Sequence, residues 1–364
     1  MARKLFIAAT GQDCGKTTTS LSLLHLARKK YNRIGFIKPV GPKPARFQDR
    51  WVDKDAALIA KVYGLEEDIE YMSPIVLQPG DTRTFLDGKV SMESYEKKLL
   101  EACEELDKRC DFLIIEGAGH SGVGSVLGLS NARVAHMINA PVLMVTGGGV
   151  GHVIDDVHMN LALYQKEGAE VRFVMPNKLI AEKRDRTLHY LSLAAKGLGF
   201  EVHGGFNYSP ILAGPTFKHI AKLLNLPMRA TKEQGLRIIH HIQLGAASAE
   251  RVVDALDYST LLVVTSSRDE LLVMMATLYH IPKYHERLTG LIIAGLSPVS
   301  PITQTILDDS DLPFMRAEKT TAELFNTVTM DVSKITAEDK EKIILIQSLA
   351  EKYLDFDQLD ARLD

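Results

Sequence analysis

Short apolar runs alternate with longer amphipathic segments along the first half of the chain. The apolar runs predict strands at Leu5–Ala9, Arg33–Lys38, Phe112–Glu116, Val142–Thr146 and Val171–Asn177. Segments with helical periodicity lie among them, at Lys16–Lys30, Asp55–Tyr63, Ser91–Lys108 and Val153–Glu167. Because helices separate the strands, we expect right-handed crossovers and a mostly parallel sheet covered by helices on both faces.

The pattern resets at Tyr208–Pro215, where "NYSPILAGP" is rich in turn residues and predicts a linker. Beyond it, strands are predicted at Leu261–Thr265, Gly290–Ala294 and Pro313–Arg316, and helices at Ala249–Ala255, Asp269–His280 and Ala337–Tyr353. We therefore predict two α/β domains, residues 1–210 and a smaller one at residues 211–364.

The amino-acid composition limits the kinds of molecule that this protein is expected to bind. The 364 residues are 46% hydrophobic and 24% charged, which is typical of a globular protein with more than one domain. The net charge of -3 argues against nucleic acid or an anionic membrane as the main partner.

No apolar run approaches the roughly 20 residues that span a bilayer, and the amino terminus leads straight into a strand rather than a signal peptide. The three cysteines lack metal-ligand spacing, so a reducing cytoplasmic location is the simplest interpretation.

The stretch "TGQDCGKT" joins the first predicted strand to the first predicted helix. The strict phosphate-loop pattern has a glycine five positions before the Gly-Lys pair, where this chain has threonine. Gly11 and Gly15 nevertheless permit the positive φ values and close backbone approach that phosphate requires. Lys16 can lie along the β- and γ-phosphates, the Thr17 hydroxyl can ligate magnesium, and the helix dipole favours an anion. The alternative is a tight turn with an incidental lysine.

Other predicted strands end in polar groups or glycine. Glu116 in "IIEGAG" could hold magnesium directly or through water, or it could cap a helix or brace a loop. Lys38 in "FIKPVG" supplies a cation, Gly147–Gly149 allow close approach, and Asn177 could bind a purine edge through its amide. Asp53 is better explained as a helix N-cap than as a ligand. Because open α/β sheets bind ligands beyond the carboxyl ends of their strands, these residues together predict one site.

Segments of the first predicted domain resemble dethiobiotin synthetase and related P-loop ligases. They are "TGQDCGKT", "KPVG", "DKDAALIA", "IIEGAG", "APVLMVTGGGVG" and "PNK", in that family's order within residues 1–210. The resemblance implies a P-loop NTPase-type fold with ATP and Mg²⁺ as cofactors.

The resemblance also assigns roles to residues. It implies that Thr17, Asp55 and Glu116 surround the magnesium ion. It places Lys16 on phosphate and Lys38 beside the reacting phosphoryl group, both as catalytic residues, with Asn177 on the adenine. The loop residues expected at the nucleotide are Gly11, Gln12, Asp13, Cys14, Gly15, Lys16, Thr17 and Thr18.

The phosphate loop is shorter than that of the synthetases and is similar to the loop in the amino-terminal domain of long-form phosphate acetyltransferases. The segments "GLRIIHHIQLGAASAERVVDAL", "TLLVVTSSRDELLVMMATLYH" and "LTGLIIAGLSP" resemble the DRTGG domain that follows it there. The match is partial, because Arg268 and Asp269 stand in reversed order and the glycine pair is spread as "GLIIAG". The catalytic acetyltransferase domain would need further residues beyond Asp364, so we do not expect acetyl transfer from this sequence.

Three functions remain open from the sequence. The first is a regulatory Mg-ATP-binding protein whose second domain senses a small ligand. The second is an ATP-dependent ligase of the dethiobiotin-synthetase type, with Asp81 and Arg83 as candidate ligand contacts, although an ion pair between them explains these residues equally well. The third is a structural interaction module with a relic nucleotide site. The expected partners are a nucleotide, an unidentified small molecule and, by analogy, a second copy in a homodimer.

Overall fold

The computed structural model describes residues 2–331 and 335–363 and divides the chain into two compact units. Unit 1 comprises Met1–Tyr208 and Ile343–Asp364, and unit 2 comprises Ser209–Lys342. The first boundary falls at the start of the predicted linker. Residues 343–364, which we assigned to the second domain, belong instead to unit 1. Unit 2 is therefore an insertion within the sequence of unit 1.

The elements of unit 1 begin with a strand. Its strands are β1 (Arg3–Ala9), β2 (Ile34–Ile37), β3 (Val40–Gly41), β4 (Pro44–Phe47), β5 (Arg50–Asp53), β6 (Ile75–Val76), β7 (Phe112–Glu116), β8 (Val142–Gly147), β9 (Val171–Asn177) and β10 (Glu201–Val202). Its helices are α1 (Lys16–Lys30), α2 (Lys54–Tyr63), α3 (Ile69–Met72), α4 (Asp81–Leu86), α5 (Met92–Arg109), α6 (Asn131–Met137), α7 (Val150–Glu167) and α8 (Arg184–Ala194).

The elements of unit 2 begin with a short helix. Its strands are β11 (Met228–Arg229), β12 (His241–Leu244), β13 (Thr260–Thr265), β14 (Leu288–Ala294) and β15 (Phe314–Ala317). Its helices are α9 (Pro210–Ala213), α10 (Phe217–Leu224), α11 (Lys232–Leu236), α12 (Ala249–Asp254), α13 (Asp269–Leu278), α14 (Pro282–Arg287), α15 (Pro301–Asp309) and α16 (Thr321–Thr329). Two further helices follow, α17 (Lys340–Tyr353) and α18 (Phe356–Asp360).

The main sheet of unit 1 is parallel and has the strand order β10-β9-β8-β1-β7-β2. The central strand β1 is fully buried over Leu5–Ala9. In the register of the sheet, Ile7 pairs with Glu116 on one side and Ala9 pairs with Val145 on the other. The carboxyl ends of β1, β7, β8 and β9 therefore meet at one edge, and the predicted P-loop NTPase-type α/β fold is confirmed.

The sheet of unit 2 has the order β11-β15-β14-β13-β12, in which β12 to β15 are parallel and β11 is antiparallel. Separate apolar clusters cover its two faces. One includes Leu262, Val264 and Leu271, and the other includes Phe217, Leu261 and Val263. Because β13 is apolar on both sides, the prediction of a second, smaller α/β region is confirmed.

Helix α18 packs within unit 1 against β7, the start of β1 and the residue that follows α1. The Phe356 ring meets the Phe112 ring edge-on, with centroids 5.4 Å apart. The Asp360 carboxylate is almost completely buried and accepts hydrogen bonds from Tyr31 at 2.8 Å, beside Arg3 at 3.1 Å. These contacts join residues more than 200 positions apart, so the local sequence pattern did not indicate them.

No helix among residues 2–331 and 335–363 combines the length and the apolar character that a membrane span requires.

Candidate functional site

The predicted phosphate loop lies between β1 and α1, at the carboxyl edge of the unit 1 sheet. Gly15 caps α1 with φ 104° and ψ 25°, a left-handed conformation that favours glycine. A Cβ atom at this position would lie 2.3 Å from Asn177 Nδ2, so a larger residue does not fit. Of the side chains that the structure describes, none caps the first turn of α1. Its amide groups are therefore available to an anion.

The remaining loop residues differ in exposure. Gln12 and Asp13 are exposed, and Asp13 has a left-handed φ of 54°. Cys14 is half-buried, with its Sγ 3.5 Å from Gln12 O. Thr18 lies in the first turn of α1, where its carbonyl oxygen accepts a hydrogen bond from Ser22 Oγ at 2.8 Å. Contacts of these residues with a nucleotide stay predictions.

Lys16 bridges two backbone segments. Its side chain is largely buried, and Nζ donates to Gly11 O at 3.1 Å and to Gly119 O at 2.9 Å. Burial lowers the pKa of Lys16 to about 8, although the carboxylate of Glu116 acts in the opposite direction. The ammonium group thus joins the phosphate loop to the segment after β7, and both acceptors are neutral.

Lys38 follows β2 directly and is buried between two carboxylates. Its Nζ donates to Asp55 Oδ2 and to Glu116 Oε1, each at 2.8 Å, and to Gly117 O at 3.2 Å. Burial by itself lowers the pKa of Lys38, but the carboxylates of Glu116 and Asp55 outweigh burial and raise that pKa above its ordinary value. Lys38 therefore stays charged and connects β2, α2 and β7.

Glu116 is fully buried at the end of β7. In addition to Lys38, its Oε1 accepts a hydrogen bond from Thr17 Oγ1 at 3.2 Å, and its Oε2 accepts one from Ser20 Oγ at 2.7 Å. Thr17 and Ser20 are three positions apart on α1, so they lie on the same face of that helix. One carboxylate thus holds the start of α1 against the end of β7.

Asp53 is the N-cap of α2, as predicted. Its Oδ1 accepts a hydrogen bond from Asp55 N at 2.9 Å, and its Oδ2 accepts one from Lys43 N at 3.1 Å. Burial, and then the charge of Asp55, raise the pKa of Asp53 to about 6. The cap fixes the first turn of α2 and so positions Asp55 beside Lys38.

Asn177 braces the phosphate loop. It lies almost completely buried at the end of β9, where Nδ2 donates to Cys14 O at 3.0 Å and Oδ1 accepts from Phe206 N at 2.9 Å. Both ends of the side-chain amide are therefore engaged within the chain. The purine contact expected of Asn177 stays a prediction.

Thr17, Asp55 and Glu116 form the donor set expected for magnesium. Their hydroxyl and carboxylate oxygens are hard donors of the type that Mg²⁺ prefers, and Lys38 Nζ lies 2.8 Å from each carboxylate. Among the described residues, no group of three or more His, Cys, Asp or Glu side chains could hold a metal. Because Mg²⁺ in proteins usually keeps several water or phosphate ligands, such oxygens would complete its shell beside Thr17, Asp55 and Glu116.

Sequence reasoning missed two buried polar side chains near the loop, Ser20 and Asn160. The spacing of Ser20 from Thr17 on one helix was a usable signal. Asn160 lies on the buried face of α7 with Val153, Val157 and Tyr164, and an amide within such a stripe requires internal hydrogen-bond partners.

Asp81 and Arg83, the candidate ligand contacts, lie in the short helix α4. The Asp81 carboxylate accepts a hydrogen bond from Gln78 N at 2.7 Å, and Arg83 is exposed. A role in ligand binding for these residues stays a prediction.

The parallel sheet, the glycine-capped loop and the lysine that opens α1 define a P-loop ATPase-type domain. A family model described as "AAA domain" (AAA_26) matches residues 3–228. The chain belongs to this family.

Two kinds of curated protein are similar to the chain. The phosphate acetyltransferase of Nitratidesulfovibrio vulgaris is 20% identical over 375 aligned residues, which cover 100% of this chain and 52% of that protein. The phosphate acetyltransferase of Pseudomonas putida is 22% identical, over 96% of this chain and 50% of that protein. The ATP-dependent dethiobiotin synthetase BioD of Aromatoleum aromaticum is 26% identical over 149 residues, 41% of this chain and 66% of the synthetase. The chain therefore spans about half the length of the acetyltransferases that it matches.

Solved structures give partial matches. A chain of the MinC:MinD cell division protein complex of Aquifex aeolicus has a TM-score of 0.36 at 17% identity, over 58% of this chain and 84% of that chain. The ATP complex of a McdA variant of Cyanothece has a TM-score of 0.38 at 13% identity, over 57% of this chain and 84% of that chain.

Proposed function

We propose that unit 1 binds Mg-ATP at the phosphate loop and that the protein is regulatory, with unit 2 sensing a small ligand. The observation that carries the nucleotide part is the assembly of Lys16, Lys38, Thr17, Asp55 and Glu116 at one sheet edge. Two buried ammonium groups beside a helix start that has glycine as its N-cap are suited to a polyanion.

Each residue has a distinct part in this proposal. Lys16 Nζ would exchange two neutral carbonyl acceptors for charged phosphate oxygens, which form stronger hydrogen bonds. Thr17, Asp55 and Glu116 would hold the magnesium ion, which neutralises phosphate charge when bound. Lys38 would keep the two carboxylates together and supply positive charge toward the terminal phosphate.

The regulatory part rests on unit 2. The alignment with phosphate acetyltransferase covers the whole of this chain but only 52% of that protein. Unit 2 has its own parallel sheet and its own apolar clusters, as expected of a separate ligand-sensing domain. Its relation to the DRTGG domain is part of the proposal, and a homodimer stays a prediction.

Isothermal titration calorimetry with Mg-ATP tests the nucleotide site. Lys16→Ala removes a charged hydrogen bond to phosphate, so we expect affinity to fall about 10- to 100-fold. Lys98→Ala on the exposed face of α5 is the matched control and should bind as the wild type does. If wild-type protein binds no Mg-ATP at millimolar concentration, the proposed function fails.

The second candidate function is an ATP-dependent ligase, favoured by the buried Lys38 between Asp55 and Glu116 and by the similarity to dethiobiotin synthetase. Such an enzyme would position its residues around a transferring phosphoryl group. Release of ADP that a small substrate stimulates and Lys16→Ala abolishes would favour the ligase. Tight Mg-ATP binding without turnover would favour the regulator.

If Lys16→Ala and Glu116→Ala leave nucleotide affinity unchanged, the site is a relic within an interaction module.

A further inference from the structure

The amide of Asn160 connects two backbone segments that both contact Lys16. Its Oδ1 accepts a hydrogen bond from Ser121 N at 3.0 Å, and its Nδ2 donates to Thr10 O at 3.3 Å. Thr10 is the first residue of the phosphate loop, and Ser121 belongs to the segment that follows β7. A third hydrogen bond, from Nδ2 to Asp156 O at 2.9 Å, ties the side chain to its own helix.

The burial of Asn160 shows that these bonds are specific. The residue is only 2% exposed and lies on the apolar face of α7 with Val157 and Tyr164. Removing an amide from water is costly unless its donors and acceptors are satisfied. Here Oδ1 accepts one hydrogen bond and both Nδ2 hydrogens have partners, so the geometry of the two segments is matched to this one side chain.

The Lys16 ammonium spans the same two segments. Its acceptors are Gly11 O, one residue after Thr10, and Gly119 O, two residues before Ser121. Asn160 and Lys16 therefore form two parallel connections between the phosphate loop and the segment after β7. Thr10 is held further by its own N–H, which donates to Val145 O at 3.0 Å, and by Thr146 Oγ1 at 3.1 Å.

We infer that Asn160 is a positioning residue for the nucleotide site. It sets the spacing between the phosphate loop and residues 118–124, and thereby the place from which Lys16 reaches phosphate, without touching the nucleotide itself. The effect on affinity rests on the proposed Mg-ATP site, whereas the effect on the 118–124 segment does not depend on it.

Two substitutions of similar size separate the two hydrogen bonds. Asn160→Asp keeps an oxygen for Ser121 N–H but replaces the donor to Thr10 O and Asp156 O with an oxygen, whereas Asn160→Leu removes all three hydrogen bonds. Because each link is a buried hydrogen bond, we expect Mg-ATP affinity to fall about tenfold in the Asp variant and further in the Leu variant. Asp360→Asn is the control, since it removes a buried charge at the opposite end of β1, next to Arg3.

Amide hydrogen exchange of the nucleotide-free protein gives a readout independent of ATP. The 118–124 segment should exchange faster in Asn160→Leu, keep much of its protection in Asn160→Asp, and be unchanged in Asp360→Asn. Unfolding of each variant is followed by Trp51 fluorescence. This measurement shows whether a loss of affinity or of amide protection only reflects a lower free energy of unfolding.

The outcomes are distinct. Faster exchange confined to Asn160→Leu, with graded loss of affinity in the two Asn160 variants, supports the inference. Wild-type exchange in Asn160→Leu, or the same loss of affinity in Asp360→Asn at equal loss of stability, overturns it. If the wild type binds no Mg-ATP, the proposed function fails and the exchange data alone decide whether Asn160 couples the two segments.

Discussion

Two buried lysines at the same sheet edge have opposite electrostatic environments. Lys38 donates to the carboxylates of Asp55 and Glu116, whereas Lys16 donates to the neutral carbonyl groups of Gly11 and Gly119. Burial disfavours the charge of both, but only Lys38 has direct contacts that compensate for it. Of these two lysines, Lys16 is therefore the one whose charge is lost as pH rises through about 8.

This difference predicts the pH dependence of nucleotide binding. Since the pKa of Lys16 is lowered to about 8, its ammonium form is lost as pH rises through that value, and Mg-ATP affinity should fall. Binding of phosphate favours the ammonium form of Lys16, so near pH 8 it should take up a fraction of a proton per site. Calorimetry in buffers of different ionisation enthalpy measures this uptake.

Lys16→Ala is the control for that measurement, because it removes the titrating group. Any residual binding by this variant should show no proton uptake at pH 8. A wild-type binding enthalpy that is independent of the buffer would contradict the prediction.

Residues at strand ends were predictable, and residues that act through tertiary contacts were not. Glu116 and Lys38 end or directly follow apolar runs, so their place at the sheet edge followed from the parallel topology. Asp53 was recognised as a cap because it precedes a helical pattern. The pairing of Lys38 with two carboxylates and the bridge made by Asn160 depend on segments distant in sequence, which local patterns do not encode.

At the scale of elements, acidic side chains of α18 lie beside the basic C-terminal end of α1. The last turn of α1 carries Lys29 and Lys30, cations that a helix C-terminus favours. Lys30 Nζ lies 2.8 Å from both Asp357 and Asp360, and the Asp360 side chain is only 1% exposed. The acidic residues of α18 thus pair with Lys30, the last residue of α1.

Asp360→Asn should destabilise unit 1. The substitution removes the negative charge that Arg3, Lys30 and the Tyr31 hydroxyl share, so we expect the free energy of unfolding to fall by about 1–3 kcal/mol. Urea unfolding is followed by fluorescence of Trp51, the only tryptophan of the chain, which lies in β5 of unit 1. Asp357→Asn, whose side chain is 83% exposed, should change stability by less than about 0.5 kcal/mol. Equal effects of the two substitutions would refute this account.

Element boundaries show the same division between local and distant information. The bounds of α1, β7 and β9 agree with those predicted. A glycine precedes α1, and each of the two strands is an apolar run that ends in a polar residue, so the local sequence marks these bounds. The strand order of either sheet and the return of residues 343–364 to unit 1 depend on long-range packing. The sequence pattern therefore indicated the α/β class of the fold. It did not indicate the strand order or the return of the C-terminal residues to unit 1.

At the scale of the whole molecule, unit 1 contains both the proposed nucleotide site and the single tryptophan. A ligand that binds only the folded state stabilises it, so Mg-ATP at 100 times its dissociation constant should raise the free energy of unfolding of unit 1 by about 2.7 kcal/mol. Trp51 fluorescence during urea unfolding measures the shift. At the same nucleotide concentration the shift for Lys16→Ala should be only about 0.4–1.4 kcal/mol, because its affinity is about 10- to 100-fold lower, and an equal shift in that variant would place the nucleotide elsewhere.

The return of residues 343–364 to unit 1 has a consequence for synthesis on the ribosome. Residues 209–342 emerge as one continuous piece and can fold while translation proceeds, since their partners are all present. Unit 1 is completed later, because Phe112 and the start of β1 contact Phe356 and Asp360 only after those late residues leave the exit tunnel. Of the two units, the one that is translated first is thus completed last.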